Sequence, residues 1–130
     1  MDILRPAGWA KPRGYSNGIV ARGRHIFVAG QIGWDAQCQF TSQTLDGQTA
    51  QALRNIVAVL SEAGAKPEHI TRMTWYVTSK AEYLAAAKEI GAAYREIIGR
   101  HYPVMTAVQV VALMEDMAKV EIEVTAVVQD

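Results

Sequence analysis

The first candidates for chemistry are the acidic residues near the C-terminus. Glu121 and Glu123 alternate with Val120, Ile122 and Val124, so a strand there puts both carboxylates on one face and the aliphatic side chains on the other. A carboxylate so placed is ordinarily solvated or ion-paired; at the wall of a cleft it can orient or deprotonate a water. Tyr15 stands in a glycine-rich loop between Gly14 and Gly18, where a tyrosine either packs or donates a hydrogen bond. His101 adjoins the turn Tyr102-Pro103. As a general base it would suit neutral pH, but the simpler reading is a solvent-exposed turn histidine. Cys38 lies in a polar loop with no histidine beside it in sequence and gives no grounds for a nucleophile. Three widely spaced histidines and one cysteine form neither C-x-x-C nor H-E-x-x-H, so no metal site is expected.

These residues need a scaffold, and the hydrophobic pattern supplies one. After an N-terminal region punctuated by Pro6, Gly8, Pro12, Gly14 and Gly18, residues 25–29 read as a short strand closed by Gly30. A loop follows, from Gly33 to about Thr44. Leu53, Ile56, Val57, Leu60 and Ala63 recur at helical spacing and predict a helix over 45–63, stopped by Gly64 and Pro67. Residues 70–78 are rich in β-branched and aromatic types and read as a strand. Ser79 and Glu82 have the capping-box spacing and open a second helix to about Ile98, with Tyr83, Ala87, Ile90, Tyr94, Ile97 and Ile98 on its buried face. Residues 104–113 read as a strand apolar on both faces, and residues 119–128 as a last strand with the clearest alternation in the chain.

The order strand, helix, strand, helix, strand, strand predicts an α+β domain spanning 1–130, with a mixed sheet and two helices on one face. Two helices cover one sheet face only. The other face carries the second apolar side of 104–113, which does not stay in water. A closed homo-oligomer packing sheet to sheet is the economical cover; irregular N-terminal chain folded over the sheet is the alternative.

Composition narrows the function classes. Half of the 130 residues are hydrophobic, enough to offset chain entropy. Thirteen basic and thirteen acidic residues cancel, so neither the basic footprint of a nucleic-acid binder nor a polybasic membrane anchor is present. No apolar run approaches the roughly 20 residues that cross a bilayer. The N-terminal residues lack signal-peptide character, and the single cysteine cannot form an internal disulfide. These features together predict a reducing, cytoplasmic location.

Four segments in register carry a family resemblance: Gly14-Tyr15-Ser16-Asn17, Phe27-Val28-Ala29-Gly30-Gln31-Ile32, Gln51-Ala52-Leu53-Arg54-Asn55-Ile56, and Val120-Glu121-Ile122-Glu123 with the trailing Ala126-Val127. In order and spacing the chain resembles the RidA/YjgF family of reactive-intermediate (enamine/imine) deaminases over nearly its whole length. The resemblance implies a chorismate-mutase-like fold, a homotrimer with a small-molecule site in each subunit cleft, and no cofactor. It implies Glu121 as the residue that holds the hydrolytic water, Tyr15 as a pocket-shaping tyrosine that donates a hydrogen bond, and Gly30 as the backbone position that fixes substrate. The family's carboxylate-gripping arginine falls at Met105, and a position often Cys or Thr falls at Ala107. Trp34, after the glycine–glutamine turn, is either a lid over the cleft or a packing residue.

Met105 is uncharged and polarizable, so the water-handling half of the pattern is kept while the carboxylate clamp is replaced. Losing a charge-assisted bidentate contact costs an anionic substrate several kcal/mol, on the order of buried charged hydrogen bonds. The expected substrate is therefore an enamine or imine larger or less anionic than 2-aminoacrylate, unless Arg24, Arg95 or Arg100 supplies a displaced cation. The alternatives are a non-catalytic trimeric module that binds a small metabolite or unfolded clients, and a ribonuclease, against which the neutral charge and the lack of a histidine pair both argue.

Overall fold

The computed structural model describes residues 1–130. In chain order they form β1 (Asp2–Leu4), β2 (Gly18–Val20), β3 (Arg24–Gln31), α1 (Leu45–Glu62), β4 (Ile70–Val77), α2 (Lys80–Ala85), α3 (Ala87–Ile97), β5 (Val104–Gln109) and β6 (Val120–Val128). The main sheet is mixed, in the order β3-β6-β4-β5. β6 runs antiparallel to both β3 and β4, and β5 runs parallel to β4. The helices pack on one face, which bears out the α+β expectation.

Helix α1 begins where Thr44 Oγ1 accepts from the Gly47 N–H at 3.2 Å. It ends as the Gly64 and Ala65 N–H groups bond back to Ser61 and Leu60, with Gly64 at φ +69°, a conformation that glycine adopts without Cβ strain. Its predicted stripe faces the sheet. Leu53, Ile56 and Leu60 are fully buried, as are Ile70 and Met73 of β4 and Val120 and Ile122 of β6. Two polar residues of α1, Gln48 and Thr49, are buried with this core. Gln48 donates to the Met117 carbonyl at 2.9 Å and accepts from the Lys119 N–H at 2.8 Å, fastening α1 to the start of β6.

Three expectations need correction. The second helix is broken at Ala86 rather than continuous. Alanine is the best helix former, so the cause is tertiary: the short α2 lets Tyr83 meet Trp75 edge to face at 6.4 Å and Glu82 bind Lys119 Nζ at 2.9 and 3.1 Å, while α3 packs on α1. The strand over 104–113 stops at Gln109, because its partner β4 stops at Val77 opposite it; Val110 makes one last bond to Val77. The N-terminal region, expected to be irregular, contributes a two-stranded ladder of β1 and β2.

The register decides which side chains share a face. Trp75 stands opposite Ile122 and Ala107, and Met73 opposite Met105, on the helix side. Tyr76 stands opposite Glu121 and Val108 on the other side. That outer face is uncovered within the chain. Phe27 is 74% exposed there and Val108 41%.

Candidate functional site

The sequence-predicted site residues fall into two groups, on opposite faces of the sheet. The first is Glu121 and Gly30 on the outer face. β3 and β6 lose register between Val28 and Gln31, and the irregularity brings the Gly30 backbone under the Glu121 side chain. A Cβ at Gly30 would lie 2.0 Å from Glu121 Oε2, so any side chain there would push the carboxylate out of this position. The half-buried Glu121 carboxylate has no hydrogen-bond or ion-pair partner in the chain. Its neighbour across the ladder, Tyr76, donates through its hydroxyl to Glu123 at 2.7 Å. That bond, more than its slight burial or the nearby carboxylates, holds the Tyr76 phenol above its ordinary pKa. Glu123 is thus occupied by a tyrosine and Glu121 is free.

The second group is Tyr15, Met105 and Ala107 on the helix side. Residues 15–17 run beside the open edge of β5: Ser16 bridges Val104 in parallel, its N–H bonds to Pro103 O at 3.0 Å, and its hydroxyl donates to Tyr102 O at 2.6 Å. This lays Tyr15 along a cavity of about 280 Å³ with Met105, Ala107, Trp75, Tyr83 and Arg13 in its wall. Met105, Trp75 and Tyr83 also wall an adjoining cavity of about 360 Å³ under α3, closed by Ile90, Tyr94, Tyr102 and Arg95. The two form one cleft. Tyr94 stacks on Tyr102 with centroids 5.6 Å apart and donates to the His101 carbonyl. Burial raises the Tyr94 phenol well above its ordinary range, with the neighbouring Tyr102 adding to it; burial alone raises Tyr83.

The remaining candidates lie elsewhere. Trp34 packs on Phe40 at 6.0 Å, and its carbonyl accepts from Asn55 at 2.8 Å; it walls a separate cavity with Cys38 and the 114–117 loop. His101 is half-buried rather than exposed, with Nε2 2.6 Å from the Ile70 carbonyl, to which it donates; its role in this fold is to tie the turn to β4. Cys38 is exposed. Of the three arginines considered as displaced cations, Arg24 approaches Asp130 at 3.9 Å and Arg100 is outside the cleft, while Arg95 is in its wall. Sequence reasoning missed Arg13, Trp75 and Tyr76. The period-2 pattern of β4 could have placed Tyr76 beside Glu121, had the β4–β6 pairing been known.

The sequence model of the family described as Endoribonuclease L-PSP matches residues 9–128. The chain belongs to the RidA/YjgF family. A RutC family protein of Pyrococcus horikoshii is 30% identical over 126 residues, 96% of either chain. The 2-iminobutanoate/2-iminopropanoate deaminase of Salmonella typhimurium is 28% identical over 108 residues, 81% of this chain and 80% of that one. Among solved structures, the Rid family protein YyfB of Yersinia pestis superimposes with a TM-score of 0.83 at 32% identity, covering 98% of both chains. The YjgF gene product of E. coli does so with 0.69 at 29% identity and 87% coverage of both. The RidA/YjgF fold is therefore shared over the whole length of this chain. No helix is long and apolar enough to cross a membrane.

Proposed function

We propose that this chain is a cofactor-independent deaminase of the cytoplasm that hydrolyses a reactive enamine or imine to a carbonyl compound and ammonia, working as a homotrimer. The observation that carries the reading is the free Glu121 carboxylate laid over the Gly30 backbone. A carboxylate without internal partners, beside a glycine that lets a ligand approach the main chain, suits the positioning of one water.

The chemistry asks little more. An imine carbon is already electrophilic. Glu121 takes a proton from the water as its oxygen bonds to that carbon, and the C=N π pair moves to nitrogen. Glu121 returns that proton to the nitrogen, giving a carbinolamine. It then takes the proton of the new hydroxyl as C=O forms and the C–N bond breaks, and passes it to the departing nitrogen, which leaves as ammonia. Orientation of water and substrate is the main contribution asked of the protein.

Glu121 and the Tyr15–Met105 cleft face apart in one chain, so a working site needs the cleft of one copy set against the Glu121 of another. The exposed Phe27 and Val108 on the outer face give such a contact apolar surface to bury. One observation favours a second reading, a binding module without turnover: Met105 stands where the family resemblance places the carboxylate-gripping arginine.

The test is ammonia release from imines made in place by an amino-acid oxidase, across short, branched and aromatic side chains. Acceleration over buffer that disappears in Glu121→Ala supports the deaminase. Tight ligand binding with no acceleration of any imine supports the binding module and rejects the deaminase.

A further inference from the structure

The cleft behind Met105 has a composition that points to a ligand class. Its floor is apolar, built from Met105, Ile90 and the helix edge at Ala87 and Gly91. Its walls are aromatic. Tyr83 and Tyr102 expose hydroxyls that bond to nothing in the chain, and the indole Nε1 of Trp75, in a residue only 3% exposed, has no acceptor. An unpaired buried N–H is uncommon in a finished core, and here its ring walls both halves of the cleft.

The mouth is cationic. Arg95 folds back along α3, so that its Nη1 would lie 3.3 Å from a Cβ at Gly91. Arg13 stands at the Tyr15 end. Neither guanidinium has a carboxylate within ion-pair distance, and no acidic residue lines the cleft. A planar guanidinium is well suited to a carboxylate. The space under α3, about 360 Å³, exceeds the roughly 150 Å³ that accommodates a benzene ring.

We infer that the cleft binds an α-imino or α-keto acid with an aromatic side chain, the ring under α3 between Met105 and the tyrosines and the carboxylate on Arg95 or Arg13. The inference rests on the deaminase reading for its imino form, and it names that site's substrate class. Met105 then does more than remove a charge. It clears the path from the Tyr15 end into the aromatic chamber and moves the anion-holding role to the rim. Short imino acids reach the rim cation but leave the chamber unfilled, so the site discriminates by side-chain size.

The test separates this inference from turnover by measuring binding. Phenylpyruvate and pyruvate, stable keto-acid products, are titrated into the full chain by calorimetry and by tryptophan fluorescence, to which Trp75 in the cleft wall contributes along with Trp9 and Trp34. The expected result is phenylpyruvate binding at least about tenfold tighter than pyruvate, the difference that a buried ring supplies. Arg95→Ala and Arg13→Ala are made singly and together; the variant lacking the operative arginine weakens phenylpyruvate at least about tenfold, as loss of a charge-assisted contact does. Ala87→Leu, which adds bulk to the chamber from an exposed helix position, weakens phenylpyruvate more than pyruvate, so that the preference for the aromatic acid is lost. Equal affinity for the two acids, or phenylpyruvate binding indifferent to all of these substitutions, overturns the inference. If phenylpyruvate binds as described and no imine is hydrolysed, the deaminase reading fails and the cleft assignment stands; if short imines alone are hydrolysed and aromatic acids do not bind, the reverse holds.

Discussion

Glu121 and Gly30 are coupled by volume: a methyl group on Gly30 would fall 2.0 Å from Glu121 Oε2 and 2.8 Å from its Cγ. The carboxylate can hold its place only while residue 30 has no side chain. Gly30→Ala is therefore expected to leave a folded protein, because the glutamate can swing outward, and to cost deamination at least about a hundredfold, the usual contribution of a positioned acid–base group. Thermal unfolding and ammonia release measured on the same sample check both halves. A Gly30→Ala protein that is folded and fully active would show that the water is not held at this point.

The buried phenols give the protein an alkaline limit. Tyr94 and Tyr83 both have folded pKa values raised by burial, while the unfolded chain titrates near 10. Below about pH 10 both states keep their protons and these groups add no pH dependence. Above it the unfolded chain loses protons first, so stability falls as pH rises toward the folded values. Tyr94→Phe should make that fall shallower between about pH 10 and 11.5. At neutral pH it should cost about 1 kcal/mol for the lost bond to the His101 carbonyl. Urea midpoints measured against pH give both quantities; an unchanged alkaline slope would mean that the phenol ionises freely in the folded state.

Gln48 is a polar residue at the centre of an apolar interface, 1% exposed. Its amide satisfies the Met117 carbonyl and the Lys119 N–H together, and Gly33 lies so close that a Cβ there would be 2.5 Å from the Gln48 Cβ. Gln48→Leu keeps the bulk and strands both backbone groups. The expected loss is about 3 kcal/mol, two unsatisfied buried groups at the lower end of their usual cost. Chemical denaturation measures it, and a change under about 0.5 kcal/mol, the range of an inert surface substitution, would show that water replaces the amide.

How far these features can be read from the sequence depends on the range of the interactions behind them. The alternation of Val120, Ile122, Val124 and Ala126 and the stripe of Leu53, Ile56 and Leu60 are local patterns, and they place β6 and α1 to within a residue or so. The break at Ala86 has no local signature, since its cause is Trp75 and Lys119 waiting across the fold for Tyr83 and Glu82. The end of β5 is likewise set by the end of β4. The site shows the same division. The types Glu121, Tyr15 and Met105 are legible one by one, but that Glu121 faces away from the other two follows from strand pairing alone, which periodicity does not determine. Arg95 joins the cleft because α3 lies over β5, a relation between elements distant in sequence.

That opposition of faces makes the strongest demand on the assembly. If each working site takes its cleft from one copy and its carboxylate from the next, two inactive variants can repair each other. Glu121→Ala removes the carboxylate and leaves the cleft. Ala107→Trp fills the cleft from an exposed position and leaves Glu121. Each alone should be inactive. Co-expressed with different tags and purified through both, they form mixed rings. In a cyclic trimer of either mixed composition one interface of the three joins an intact cleft to an intact Glu121, so about one-third of the wild-type activity should return. Phe27→Glu, placed on the uncovered outer face where Phe27 is 74% exposed, should disperse the rings into single chains by light scattering and abolish that activity without unfolding the domain. Mixed rings that stay inactive while Phe27→Glu monomers remain active would place the whole site within one chain.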